Sequence, residues 1–213
     1  MRKIDKDTIL SKECKDWLDG LEKDKHPKYN SSANKYYFDI KMSLLHCQGG
    51  LCAYTEQRLC NEELLELENW DELKYNRKLT KLEISSIQGD LEHFDESLKK
   101  NNAWLWSNLF VISTHVNCRI KGTKAIKNIL KPDCVDYEPN KYLQFDYEVG
   151  LFMPNINLSG SDKEDVEYMI ETLGINCIYT QRKKRLKEWK DREELGLPVE
   201  ADEYVTAWSM VKE

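Results

Sequence analysis

Apolar residues recur at helical spacing near the start of the chain. Between residues 6 and 24 the apolar positions fall on one face of a helix, which predicts an amphipathic helix there. Residues 26–32 interrupt this pattern, and either Ser31 or Ser32 is a suitable N-cap for a second helix that runs to about Gln48. The first part of the chain is therefore predicted to be helical.

The middle of the chain has the pattern of two strands followed by a helix. Residues 79–91 are predicted to form an extended strand, and residues 109–112 form a second compact β-like run. Lysines and apolar residues then alternate at helical spacing over residues 121–131, and Pro132 ends that predicted helix. The predicted order is strand, loop, strand, helix.

The last part of the chain is predicted to contain a hairpin and two helices. The hairpin falls within residues 133–158, where aromatic and apolar residues flank a turn that contains glycine. The first helix covers residues 163–173 with Gly174 as its C-cap, and Asn176 is predicted to cap a second helix over residues 177–194.

Composition indicates a soluble globular protein, with 40% hydrophobic and 33% charged residues. No apolar run approaches the roughly 20 residues that a membrane helix needs, and the start lacks the apolar stretch of a signal peptide. We therefore expect a cytoplasmic protein with no membrane partner. Seven cysteines without a Cys-x-x-Cys pair fit reduced thiols better than disulfides or a four-cysteine zinc site.

The net charge of −6 bears on any interaction with nucleic acid, because phosphate binding requires local positive charge. Basic residues do cluster at residues 119–127 and at residues 182–187. The second cluster, including Arg182, is expected to be a solvated helix face. Further positive surface would then have to come from a partner protein.

A histidine that follows a carboxylate marks the segment with candidate chemistry. Glu92 and His93 end the first predicted strand, Asn108 opens the second, and Asn117 lies beyond it. Hydrolysis of a phosphodiester needs a base that deprotonates water and a divalent cation that stabilises developing charge. Histidine suits the first task at neutral pH, and carboxylate and amide oxygens are suitable ligands for Mg²⁺ or Mn²⁺.

This arrangement resembles the ββα-metal motif of HNH endonucleases, whose His-Asn-Asn set matches His93, Asn108 and Asn117. The resemblance implies an α+β protein with an HNH core over residues 49–131. A helical segment at residues 1–48 would precede it, and a hairpin and helical segment at residues 132–213 would follow.

The same resemblance implies roles for individual residues. His93 would be the general base, and Asn108 would bridge backbone groups and fix the orientation of that base. One Mg²⁺ or Mn²⁺ ion would be held by Glu92 and Asn117. The remaining candidates are two substrate-binding lysines and two residues placed behind the site: Lys121, Lys124, Glu56 and His115. Glu56 is as readily a strand-end charge, whereas a solvent-facing histidine in a loop or at a helix start is the favoured interpretation of His115.

Two further segments are similar to the HNH partners of ATPases in Septu-type antiphage systems, some of which are associated with retrons. They are residues 51–56 and residues 170–176, the latter followed by Arg182. The resemblance implies an ATPase partner and a nucleic-acid substrate. A retron-associated complex would add a reverse transcriptase with its RNA/DNA product. DNA and structured RNA both remain open as substrates.

The chain departs from that family at the positions of a structural zinc. The four positions read Cys52, Thr55, Ser113 and Val116, so no structural zinc is expected. Lys121 also lies one residue farther from Asn117 than the family's Asn-x-x-Lys spacing. Two alternatives stay open: a catalytically decayed HNH-fold scaffold or binding subunit, and a ribonuclease acting on tRNA-like RNA.

Overall fold

A computed structural model describes residues 1–212 of the chain, and it has an α+β architecture. The α-helices are α1 (Lys12–Asp19), α2 (Tyr37–Cys47), α3 (Lys81–Ser86), α4 (Pro139–Tyr142), α5 (Gly160–Thr172), α6 (Tyr179–Glu194) and α7 (Val205–Lys212). The strands are β1 (Asp90–His93), β2 (Leu109–Ile112), β3 (Leu143–Asp146) and β4 (Leu151–Pro154). A π-helical segment covers Val116–Lys121, and 3₁₀ turns cover Glu62–Leu64, Leu67–Asn69, Glu96–Lys100, Trp106–Asn108 and Asn128–Leu130.

The strands form two separate antiparallel pairs. β1 pairs with β2, so that His93 lies opposite Leu109, and β3 pairs with β4, so that Phe145 lies opposite Phe152. The turn of the second pair contains Gly150, whose φ of 86° favours glycine. The predicted strand at residues 109–112 and the predicted C-terminal hairpin are thus confirmed.

The hydrophobic core runs through β2, all of whose side chains are buried. α2 packs against this strand, while α5 packs against β4. Each of the three predicted segments of the chain contributes side chains to one buried cluster, for example Leu44, Phe110 and Trp208. The β1–β2 pair is therefore surrounded by protein rather than set on a surface.

The prediction of a strand over residues 79–91 is wrong for most of that range. Residues 81–86 form α3, which begins with a capping box: the Thr80 hydroxyl accepts from Glu83 N, and the Glu83 carboxylate accepts from Thr80 N. The apolar side chains of Leu82 and Ile84 are 79% and 56% exposed. Only the last residues of the predicted strand belong to β1.

The predicted helix over residues 121–131 is also wrong. The helical turn lies earlier, at Val116–Lys121, and its bond from Gly122 N to Asn117 O is 3.0 Å long. Gly122 has a φ of 52° and ends this turn. The following residues run irregularly to the 3₁₀ turn at Asn128–Leu130, so the lysine spacing there does not reflect a helix.

The first predicted helix is shorter than its pattern, because the residues before Ser11 are not helical. Lys6 is buried there and donates to the carbonyls of Trp106 and Leu109, at 2.8 and 3.0 Å. The second predicted helix begins only at Tyr37. The helix α7 was not predicted. None of the helices in residues 1–212 has the length and apolar character needed to cross a membrane.

Candidate functional site

His93 is the last residue of β1, and its side chain is 2% exposed. Neighbouring residues on a strand point to opposite faces, so Glu92 and His93 have different surroundings although both are buried. The imidazole of His93 contacts Ala103 and Tyr29, whereas the carboxylate of Glu92 contacts Tyr54 and Lys121.

The hydrogen bond of the His93 ring fixes its tautomer. Nε2 lies 2.8 Å from the carbonyl oxygen of Ala103, and because a carbonyl can only accept, Nε2 must carry the hydrogen. In the neutral ring the lone pair is then on Nδ1. A carboxylate oxygen of Glu96 lies 3.9 Å from Nδ1.

Burial lowers the pKa of His93 below its ordinary value, because desolvation disfavours the charged imidazolium. The hydrogen bond to Ala103 and the Glu96 carboxylate act in the opposite direction, and the Lys99 and Lys121 charges add to the lowering. The ring is therefore neutral at neutral pH, which is the protonation state that a general base requires.

A short segment of the N-terminal region covers the His93 ring. Tyr29 stands edge-on to it at 5.0 Å between ring centres, and Trp104 stacks on Tyr29, also at 5.0 Å. Two hydrogen bonds of 3.1 Å hold this segment: Trp104 N donates to His26 Nδ1, and Trp104 Nε1 donates to the carbonyl of Pro27. A substrate can therefore reach His93 only if this cover moves.

Asn108 holds the loop that follows His93. Its side-chain oxygen accepts from Asp95 N at 2.8 Å, and its side-chain nitrogen donates to Asp95 O at 2.9 Å. Its own backbone carbonyl accepts from Phe94 N at 2.8 Å. The Asn108 amide thus bridges backbone groups next to His93, as the resemblance implied.

The carboxylate of Glu92 is engaged at both oxygens. Oε1 forms a buried ion pair with the ammonium of Lys121, and Oε2 accepts from the Tyr54 hydroxyl at 2.7 Å. The Lys121 ammonium also donates to the backbone carbonyl of His93 at 2.9 Å. Burial raises the pKa of the Glu92 carboxyl, while Lys121 and the Tyr54 hydrogen bond lower it.

The other predicted site residues lie at or near the surface. Asn117 is half-buried, and its side chain has no hydrogen bond to another residue of the 1–212 range; His115 is exposed, as its alternative interpretation held. Lys124 is exposed and lines a cleft of about 480 Å³ together with Asp95, Glu96, Ser97, Thr123, Ala125 and Ile126. Glu96 therefore connects this cleft with the buried His93 ring.

The predicted substrate role of Lys121 does not fit its position. Its side chain is fully buried and is used by Glu92 and His93, so it cannot contact a ligand in this arrangement. The extra residue between Asn117 and Lys121 has a structural explanation in the π turn. Such a turn closes an i→i+5 bond and holds one more residue than an α turn.

The residues assigned to a divalent ion do not fit one in this arrangement. Glu92 cannot ligate without releasing Lys121, and Asn117 supplies one amide oxygen. Within residues 1–212 there is no group of three or more His, Cys, Asp or Glu side chains placed to hold a metal. The assignment of Glu92 as a ligand is therefore not supported by its contacts.

Glu56 lies in a different part of the core from His93. Its carboxylate pairs with the Met1 amino group at 3.0 Å and accepts from the backbone N of Thr206 at 2.8 Å. These contacts hold the start of α7 against the loop that contains Glu56. Glu56 thus stabilises the fold, which neither of its two sequence interpretations described.

Cys52 and Ser113, two of the four positions considered for a structural zinc, are neighbours in space, because Ser113 N donates to Cys52 Sγ at 3.4 Å. Thr55 and Val116 are both buried. Of these four residues, Cys52 alone carries a thiol.

Sequence reasoning missed the groups that contact His93 and Glu92. No local pattern marks Tyr29, and Tyr54, although it lies within the segment 51–56 quoted for the resemblance, was given no role because its contact with Glu92 joins residues distant along the chain. Glu96 carried a usable signal, since it stands three positions after His93 in a short helical turn. No protein-family model matches the chain, and no curated protein matches it.

Proposed function

We propose that this chain is the nuclease subunit of a bacterial antiviral complex and cleaves phosphodiester bonds of nucleic acid, with His93 as general base. The observation that carries the proposal is the hydrogen bond from Nε2 to Ala103 O, which leaves Nδ1 as the basic atom of a neutral ring. The hairpin, with Asn108 directly before β2 and a helical turn after that strand, is the arrangement expected of an HNH core.

The chain's own groups account for the proton that the base removes. Nδ1 takes a proton from water as the water oxygen attacks phosphorus, while the bond from phosphorus to the leaving oxygen breaks and that oxygen takes a proton from solvent. The imidazolium that results has its Nδ1 3.9 Å from the Glu96 carboxylate. Asn108 keeps the Asp95 backbone in place, and so holds the loop that carries Glu96. The cleft lined by Glu96 and Lys124 is where a phosphate would enter.

The proposal includes a resting state for the free chain. His93 is covered by Tyr29, and the net charge of −6 opposes binding of a polyanion. An ATPase partner would supply positive surface and the force that displaces the cover. We expect the isolated chain to be a poor nuclease that gains activity within its complex.

A second candidate function has an observation of its own. The Glu92–Lys121 pair occupies the place where the resemblance puts a metal ligand, as expected of an HNH fold kept as a scaffold or binding subunit. On this alternative the chain would join the complex without cutting.

The experiment compares the wild type with His93→Ala and with the matched control His115→Ala, an exposed histidine of the same region. Each protein is purified with its genomic neighbours and offered DNA and RNA panels with Mg²⁺. Loss of a general base lowers rates by about 10²–10⁴-fold, so His93→Ala should lose cleavage while His115→Ala keeps it. Equal cleavage by His93→Ala removes the mechanism; no cleavage by the wild-type complex favours the scaffold.

A further inference from the structure

The ion pair between Glu92 and Lys121 is buried at both ends, with the Lys121 side chain fully shielded and that of Glu92 nearly so. The ammonium lies against two oxygen atoms, one of the Glu92 carboxylate and the carbonyl oxygen of His93. Tyr54 holds the other carboxylate oxygen at 2.7 Å. A positive charge with oxygen neighbours therefore stands beside the proposed base.

We infer that Lys121 is an internal cation that occupies the position of a divalent ion at Glu92 and keeps the site free of metal while the pair is intact. This inference rests on the proposed function, since it concerns regulation of the same site. It explains why the residues assigned to a metal do not form a metal site in this arrangement.

Displacement of Lys121 by a dissolved ion is unfavourable for two physical reasons. The ammonium would be left unpaired in the protein interior, and an uncompensated buried charge is strongly destabilising. If the ammonium stayed nearby, it would repel the incoming cation at short range. The ion must also lose most of its water to reach Glu92, because only 2% of that residue is exposed to solvent.

The backbone of the π-helical segment places Lys121 beside Glu92. Lys121 is the last residue of Val116–Lys121, directly before Gly122 with its φ of 52°. The bond from Gly122 N to Asn117 O closes the turn at 3.0 Å. A partner that binds at the exposed residues 122–125 would contact the end of this turn, next to Lys121.

The test measures Mn²⁺ binding by isothermal titration calorimetry to the full chain as wild type, Glu92→Gln, Lys121→Met and the double variant. Methionine keeps the length of the lysine and removes its charge. Wild type and Glu92→Gln should bind Mn²⁺ alike, with no site that depends on Glu92. Lys121→Met should gain one Mn²⁺ site at least about tenfold tighter than any in the wild type, and the double variant should lose it.

Two results would overturn the inference. The first is a wild-type Mn²⁺ site that disappears in Glu92→Gln, which needs no lysine variant and holds even if Lys121→Met fails to fold. The second is a folded Lys121→Met protein, checked by circular dichroism, without a new site. The readout is independent of cleavage. An inactive complex with the expected binding pattern removes only the proposed function, and an active complex in which wild type and Lys121→Met bind Mn²⁺ equally removes only the internal cation.

Discussion

The two hairpins of the molecule each use an asparagine in the same way. Asn108 accepts from the backbone N–H of Asp95 and donates to its carbonyl, and Asn176 does the same for Phe152, at 2.9 and 2.8 Å. Both asparagines pin a strand or the loop beside it. The two hairpins differ in the buried basic residue that lies next to each asparagine.

Beside the β3–β4 hairpin, Arg182 is fully buried, so the prediction that it lies on a solvated helix face is wrong, and each of its three guanidinium nitrogens donates a hydrogen bond. Its guanidinium donates to the carbonyls of Gly150 and Ile175 and to the side-chain oxygen of Asn176. Beside the β1–β2 hairpin, His93 makes one hydrogen bond and keeps a free lone pair on Nδ1. A buried polar side chain whose nitrogens all form hydrogen bonds stabilises the fold. A buried side chain with a nitrogen that forms no hydrogen bond is a candidate for chemistry.

The largest expected effect on stability comes from removing the hydrogen bonds of Arg182. Arg182→Met should destabilise the protein by about 3–5 kcal/mol, because it leaves buried acceptors without donors. The measurement is the free energy of unfolding in urea, with Lys187→Met, an exposed lysine of the same helix, as control. A loss no greater than that of the control would show that Arg182 is not a structural residue.

Substitution of the two asparagines should lower the free energy of unfolding by different amounts. Asn176→Ala should destabilise by about 2–3 kcal/mol, because Phe152 is buried and Arg182 also loses a partner. Asn108→Ala should destabilise by about 1–2 kcal/mol, because water can reach the half-buried Asp95. Cleavage by the complex should fall only for Asn108→Ala. Equal loss of activity in both variants would mean that stability alone explains it.

A smaller effect is expected from pH. The pKa of His93 is lowered in the folded state, so the unfolded chain takes up the proton first as the pH falls. Stability is therefore highest above the unfolded pKa of about 6.5, and it declines below it as the pH approaches the lower folded value. The free energies of unfolding of wild type and His93→Gln, measured in urea, should differ less at about pH 5.5 than at about pH 7.5, because the unfolded histidine pKa of about 6.5 lies between these two values. A difference that does not change with pH would place the ring outside the core.

The smallest effect should come from removal of metal. Ser113 and Val116 have no thiolate to offer a zinc ion, and the segment around Cys52 is held by packing and by the bond from Ser113 N to Cys52 Sγ. Chelators should leave the unfolding midpoint unchanged, and elemental analysis should find no stoichiometric zinc. One zinc per chain would show that other cysteines, such as Cys60 or Cys118, form the site.

Local sequence patterns predicted the elements whose residues have a uniform environment or a turn set by one residue. The run at residues 109–112 is buried on all sides, and the β3–β4 turn contains a glycine, so both patterns predicted the structure that formed. The capping box of Thr80 and Glu83 was also present in the sequence, and giving it weight would have predicted α3 in place of a strand.

The remainder depends on contacts between distant parts of the chain. Lys6 is buried because it reaches Trp106 and Leu109, which no local pattern contains. Asn176 bonds to Phe152 rather than capping the following helix, whose first residue is Tyr179. The spacing singled out His93 and Asn108 as candidates, but it did not indicate the cover over His93 or the partner of Glu92.

The π turn at Val116–Lys121 also bears on how the gene can change without changing the protein's interior. One more codon between those of Asn117 and Lys121 converts an α turn into a wider turn, and the lysine still faces Glu92. The same insertion in β1 would send every later side chain of the strand to the opposite face. A helical segment of this kind absorbs a single-codon insertion by widening, while the neighbouring strand absorbs one only by forming a β-bulge.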